Sequence, residues 1–269
     1  MTSGSFESKY GPWALVTGAA RGLGAEFARQ VALRGLNVVM VDVLADEQAQ
    51  VAKEIQSSTG REIKTVVTDL STADFMEHIR QEIEELEIGL LICNAATSSV
   101  EHFFDVGLEA KLETVAVNVR SPLILVHELG LEMRKRGHGG IILLSSAAVL
   151  QGTALTSNYA ATKAYNLILA EGLWDELRRE GMDVLGFMPG ATRTPGFMGS
   201  NPQLERVPQM KVMEPEPTVA EALEVLGKQL SHIAGKRNRR IAFLVNRFMS
   251  RKRATMLAGK TMRVCYGKR

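Results

Sequence analysis

The 269-residue sequence contains only two cysteines, Cys93 and Cys265, so no disulfide framework carries its fold. It has no apolar run of about eighteen residues, and no transmembrane helix is expected. Aromatic residues make up only 6% of the chain, and no basic face is interleaved with them, which argues against nucleic acid as a partner. The five histidines (His78, His102, His127, His138, His232) lack ligand spacing with cysteines or carboxylates, so no metal is expected. The first ten residues are polar, with no stretch resembling a signal peptide, and a reducing cytoplasmic location is expected. What remains is an ordinary globular composition, 45% hydrophobic and 23% charged, in a chain long enough for one large α/β domain. The net charge of +2 conceals an asymmetry. Residues 247–269 hold eight Lys and Arg and no Asp or Glu, so the preceding body is mildly acidic. The expected organisation is a single domain over 1–246, with a substrate lid at 194–217, and a basic tail over 247–269.

Strand-like runs alternate with helical patterns along the chain. Short apolar strands are predicted at 13–17, 37–41, 63–68, 90–93, 141–145 and 184–188, with a seventh at 240–245 after a helix over 219–233. Helices are predicted over 46–57 and 72–86, through a long segment at 109–136 interrupted near Pro122, and from Tyr159 to about residue 180. Strands this apolar imply a parallel sheet covered on both faces, a doubly wound Rossmann-type α/β fold with ligands beyond the strands' carboxyl ends.

Three features point to chemistry there. Gly18-Ala-Ala-Arg-Gly22-Leu-Gly24 follows the first strand and opens a helix, where glycines permit close backbone approach and the helix N-terminus suits a diphosphate. Asp42, ending the second strand, suits the ribose hydroxyls of NAD and repels the 2′-phosphate of NADP, whereas Arg21 would pair with that phosphate; NAD is preferred and NADP remains open. Asp69 ends the third strand and suits either a turn or adenine contact. Finally, Tyr159 and Lys163 stand four apart on a predicted helix, hence on one face, and an ammonium beside a phenol favours the phenolate. Ser146 closes the fifth strand, thirteen residues upstream, where its hydroxyl would polarise a carbonyl.

This combination, with Thr17, Asn94-Ala95, Asn118, Pro189-Gly190 and Thr194 in order, resembles the short-chain dehydrogenase/reductase family over nearly all of residues 11–246. The resemblance implies Tyr159 as acid–base residue and Lys163 as the group that lowers its pKa and holds the nicotinamide ribose. It implies that Ser146 orients the substrate oxygen and that Asn118 positions a water linking Lys163 to solvent. It further implies a nicotinamide dinucleotide held by Thr17, Gly18, Arg21, Gly22, Leu23, Gly24, Asp42, Asp69, Leu70, Asn94, Ala95, Ala96, Tyr159, Lys163, Pro189, Gly190, Thr192 and Thr194. The family's Asn-Asn-Ala-Gly stands here as Cys93-Asn94-Ala95-Ala96, one asparagine and one glycine short. A homodimer or homotetramer through the helices at 109–136 and 158–180 is also implied.

The lid at 194–217 is rich in flexible apolar side chains, which suits either a lipophilic substrate such as a steroid, a fatty-acyl chain or a hydrophobic alcohol, or simple packing of the lid onto the core. Ala148, Leu155, Phe197, Met198, Met210 and Met213 are the expected substrate contacts. Tyr10-Gly11-Pro12-Trp13 and Met188-Pro189-Gly190 are similar to the hydroxysteroid and 3-oxoacyl-CoA reductases of the family. The tail is read as a solvated basic terminus, in preference to a basic amphipathic helix that lies on an anionic membrane or guards the site from a neighbouring subunit. The alternative to an enzyme is a non-catalytic dinucleotide-sensing regulator on the same fold.

Overall fold

The computed structural model describes residues 3–268. Its seven-stranded parallel sheet has the order β3-β2-β1-β4-β5-β6-β7. The strands are β1 (Trp13–Thr17), β2 (Asn37–Asp42), β3 (Ile63–Val67), β4 (Ile88–Cys93), β5 (Gly139–Leu144), β6 (Met182–Met188) and β7 (Ser231–Ile233). Every residue of β1, β4 and β5 is buried, because side chains alternate between two covered faces.

On one face, Ala14 and Val16 of β1 pack with Phe27 and Val31 of α2 (Gly22–Leu33), Ile55 of α3 (Ala45–Thr59) and Val219 of α9 (Pro215–Val225). The same cluster takes in Phe6 and Tyr10 from α1 (Ser3–Tyr10), a short helix the sequence pattern does not reveal. On the other face, Trp13 and Leu15 pack with Phe75 and Ile79 of α4 (Phe75–Ile83), Leu125 and Met133 of α6 (Ser121–Arg136) and Ala170 of α7 (Ser157–Leu177). β1 pairs with β2 on one side and β4 on the other, so the chain direction of winding reverses there and a crevice opens beyond the strands' carboxyl ends.

The predicted long helix at 109–136 is broken as expected, but just before Pro122. After α5 (Leu108–Val115), residues Ala116–Arg120 form a π-helical turn leading into α6. Pro122 lacks an N–H, so it cannot donate to the Asn118 carbonyl four residues back, and the wider turn accommodates that missing bond.

Three sequence expectations need correction, the first being the helix over 219–233, since α9 ends at Val225. The seventh strand is Ser231–Ile233, paired to Gly186–Met188 of β6, whereas 240–245 lies inside α10 (Lys236–Phe248). The run Ile241-Ala-Phe-Leu-Val has the composition of a strand, but Ile241, Phe243 and Leu244 are exposed and only Ala242 is buried, a one-sided burial that suits a surface helix. The basic tail is not a solvated terminus either. Residues Arg251–Tyr266 form α11, with Ala254, Gly259 and Cys265 buried, and the expected boundary at 246 falls within α10. Among the described residues no helix is long and apolar enough to cross a membrane. None of their His, Cys, Asp and Glu side chains form a cluster fit for a metal ion.

Candidate active site

The crevice is pinned open by Thr17 and Asn94, at the ends of β1 and β4. The Thr17 hydroxyl accepts from the Asn94 and Ala95 amides at 3.1 Å each, and the Asn94 carboxamide donates to the carbonyls of Thr17 (2.9 Å) and Gly18 (3.1 Å). Gly18 and Gly22 have φ of +66° and +61°, and a Cβ on Gly18 would stand 2.8 Å from Ala95 Cα. Gly24 is more constrained still, since a Cβ there would lie 1.9 Å from the Gly18 carbonyl oxygen. α2 starts at Gly22 with no side-chain hydrogen bond from its capping residue Arg21, so its first-turn amides are free for an anion.

Asp42 is already engaged: its carboxylate accepts from Ala20 N (2.9 Å), Val43 N (2.8 Å) and Leu44 N (3.2 Å). It thereby ties the glycine turn to the start of α3 while facing the cavity. The Asp69 carboxylate accepts from Ser71 N at 2.8 Å, the turn role foreseen for it, and it too lines the cavity.

Beyond β5, Ser146 and the α7 pair meet at the same cavity, which encloses about 1110 Å³. The Ser146 hydroxyl acts on the Tyr159 phenol across this cavity. Lys163, 2% exposed, donates from Nζ to the Leu144 carbonyl at 2.9 Å and lies 6.0 Å from the Tyr159 ring centroid. Burial pushes the Lys163 ammonium down to about 8, with the neighbouring Cys93 opposing, and pushes the Cys93 thiol up to about 12. Tyr159 is raised by burial, against which the Ser146 hydroxyl acts. The expected lowering by Lys163 therefore does not set the direction, because a lysine whose pKa is pushed down to about 8 is already neutral where the raised phenol would ionise.

Asn118 is fully buried and does not line the cavity. Its Oδ1 accepts from Thr97 N (2.9 Å), and its Nδ2 donates to Thr97 O (2.9 Å) and Thr162 Oγ1 (3.0 Å). The side chain thus fixes the loop after β4 onto α7, one residue from Lys163.

Gly18, Arg21, Gly22, Leu23, Asp42, Asp69, Leu70, Asn94, Ala95, Ala96, Pro189, Gly190, Thr192 and Thr194 all line the one cavity with Ser146, Tyr159 and Lys163. Thr17 and Gly24 stand behind that wall, shaping the turn. Thr194 also caps the short α8 (Pro195–Gly199), accepting from Phe197 N at 3.2 Å. Of the expected substrate contacts, Ala148, Phe197 and Met210 face the cavity. Leu155 instead lines a small cleft beside Tyr159, Met198 is directed to solvent, and Met213 packs on the core against Asn238. The roof is what the sequence reading missed. Leu257, Ala258, Thr261, Met262 and Tyr266 of α11 close the cavity. Tyr266 shares a 3.0 Å hydrogen bond with Ser200, and the Cys265 carbonyl accepts from Gln203 N at 2.7 Å, so α11 holds the lid. Lys268 ties its far end to Glu101 and to the Val100 carbonyl. The signal was present in the small and apolar residues recurring at three- and four-residue spacing from Ala254 to Cys265.

Comparison with known proteins agrees with this geometry. The family described as short chain dehydrogenase matches residues 12–205. A 7beta-hydroxysteroid dehydrogenase from Collinsella aerofaciens is 33% identical over 239 residues, covering 87% of this chain and 90% of the relative. A solved 7beta-hydroxysteroid dehydrogenase superposes with a TM-score of 0.88 at 30% identity, covering 94% of this chain and 98% of that one. A short-chain dehydrogenase from Sphingobium yanoikuyae, in complex with NADPH, gives 0.78 at 27% identity, covering 88% and 93%.

Proposed function

This chain belongs to the short-chain dehydrogenase family, and from that premise we propose that it moves a hydride between a nicotinamide dinucleotide and the carbonyl or alcohol carbon of a lipophilic substrate. The observation that carries this reading is the convergence of the glycine turn, Ser146, Tyr159 and Lys163 on one cavity. When bound, the dinucleotide supplies or receives the hydride. Gly18, Gly22 and the open amides of α2 are the cradle for its diphosphate, and Asp42 takes the adenosine ribose. Asp42 makes NAD the preferred cofactor; Arg21, exposed at the cavity edge, meets a 2′-phosphate and lets NADP bind more weakly.

In reduction, Ser146 donates to the substrate oxygen and Tyr159 delivers the proton to it; oxidation runs the transfer in reverse. A phenol kept protonated by burial suits the donor role. Lys163 holds the nicotinamide ribose and carries the replacement proton toward Tyr159, and Asn118 keeps the loop after β4 in register with that pair. A non-catalytic dinucleotide sensor has no use for a serine, tyrosine and lysine so placed.

Support for a lipophilic substrate comes from the hydroxysteroid relatives and from apolar walls that include Leu150, Phe197, Met210, Leu257 and Met262. A steroid or a comparably bulky carbonyl compound fits that chemistry. Exposed Leu112 and Val115 on α5, Leu123 on α6, and Tyr165 and Ile168 on α7 support a homodimer or homotetramer. We place the enzyme in the cytoplasm as one catalytic domain whose lid spans 194–217. Binding of NADH and NADPH by fluorescence, followed by an oxosteroid, ketone and alcohol panel with the tighter cofactor, tests the reading. Hydride transfer to an apolar carbonyl is expected; transfer to no panel member refutes it.

A further inference from the structure

The part of the cavity wall that α10 and α11 supply carries an unusual outer surface. Residues 236–268 contain eleven Lys and Arg and no Asp or Glu. Among the described residues, only Arg239 (to Glu221) and Lys268 (to Glu101) of these form ion pairs. The positive charge is also placed against helix stability. Lys236 and Arg237 open α10, and Arg251, Lys252 and Arg253 open α11, at helix ends whose dipole favours acidic side chains. Interspersed with these charges are large exposed apolar side chains. Ile241, Leu244 and Phe248 recur at three- and four-residue spacing along α10, with Phe248 71% and Phe243 65% exposed. Met256, Leu257 and Val264 are likewise exposed on α11. Ile241 and Leu257 belong both to this outer surface and to the cavity lining, so the edge of the cavity reaches the exposed surface at these two side chains.

We propose that α10 and α11 dock on an anionic lipid bilayer, so that a lipophilic substrate reaches the cavity from it past Ile241 and Leu257. The physics is that of an interfacial helix pair: apolar side chains enter the acyl boundary while Lys and Arg stems snorkel to the headgroups. Charge complementarity selects the occupant. A twofold contact with a second copy would set two acid-free basic patches face to face, whereas an anionic leaflet neutralises them. Docking stands on this surface alone; substrate entry from lipid rests on the lipophilic reading of the site.

The test is flotation of the full-length protein with phosphatidylcholine vesicles and with phosphatidylcholine–phosphatidylserine vesicles, a measurement that needs no turnover. Binding is expected to the mixed vesicles alone and to fall as salt rises. Arg251→Gln/Lys252→Gln/Arg253→Gln should weaken it on the order of a hundredfold. Leu244→Glu/Phe248→Glu should abolish it while leaving activity on a water-soluble carbonyl unchanged. Failure of the wild type to float, or equal binding by both variants and wild type, overturns the proposal. So does a wild type that stays off vesicles while Leu244→Glu/Phe248→Glu reduces its mass in analytical ultracentrifugation, which assigns the patch to a second copy. If docking is observed but no substrate reacts, the failure belongs to the enzymatic reading and not to the surface.

Discussion

Asn118 satisfies both backbone groups of Thr97 and the Thr162 hydroxyl from a position with no solvent access, which makes its carboxamide a sensitive probe of how the site is held. In Asn118→Ala, Thr162 loses little, because its hydroxyl still donates to the Tyr159 carbonyl at 2.8 Å. The cost falls on the Thr97 N–H and C=O. An orphaned backbone group costs about 1–3 kcal/mol, and Thr97 faces the cavity, where water recovers part of that. The sum is about 2–3 kcal/mol, or roughly 5–10 °C in Tm for a domain of this size. Asn118→Asp sharpens the test. A protonated Asp reproduces both bonds to Thr97, but a carboxylate would face the Thr97 carbonyl, so its folded pKa is raised. A raised folded pKa gives stability that is complete below the unfolded pKa of about 3.9 and is lost at about 1.4 kcal/mol per pH unit above it, up to the folded pKa. Urea unfolding of both variants across pH 3–7 measures these effects. An Asn118→Ala protein within about 0.5 kcal/mol of wild type refutes the positioning role.

Three further outcomes follow from the same geometry. Gly24→Ala should abolish dinucleotide binding by calorimetry, since its Cβ would meet the Gly18 carbonyl oxygen at 1.9 Å; wild-type affinity contradicts the turn's role. Lys163 has a folded pKa lowered to about 8, so between about pH 8 and 10.4 the unfolded chain binds more protons and this group makes stability rise with pH; Lys163→Met should remove that rise in urea titrations of the free protein. Asp42→Ser should shift the ratio of NADPH to NADH affinity toward NADPH by about tenfold or more, with some loss of stability from the released Ala20 and Val43 amides, and an unchanged ratio would remove Asp42 from cofactor choice.

The central strands were legible because a parallel sheet covered on both faces leaves continuous apolar runs, as in Leu90-Leu-Ile-Cys93 and Ile141-Ile-Leu-Leu144. The glycine turn and the Ser146, Tyr159 and Lys163 set were legible because their spacing survives in one dimension. β7 was not: it is three residues long, and His232 at its centre is a polar core residue held by Gln229 and Glu221. The Ile241–Val245 run misled for the opposite reason, since its apolar side chains face outward. The roof of the site was hidden by charge: basic residues on the outer face of α11 mask the small inner residues that close over the cavity. Asn118's partners were invisible as well, because Thr97 and Thr162 stand 21 and 44 residues away in sequence.

The sharpest measurement is single-turnover hydride transfer, followed by nicotinamide absorbance, for wild type and Tyr159→Phe saturated with the preferred cofactor and an apolar ketone. Tyr159→Phe should bind the cofactor as wild type does while its transfer rate drops on the order of 10²- to 10⁴-fold. A transfer rate within about twofold of wild type would contradict proton transfer by Tyr159 and with it the chemistry assigned to this cavity.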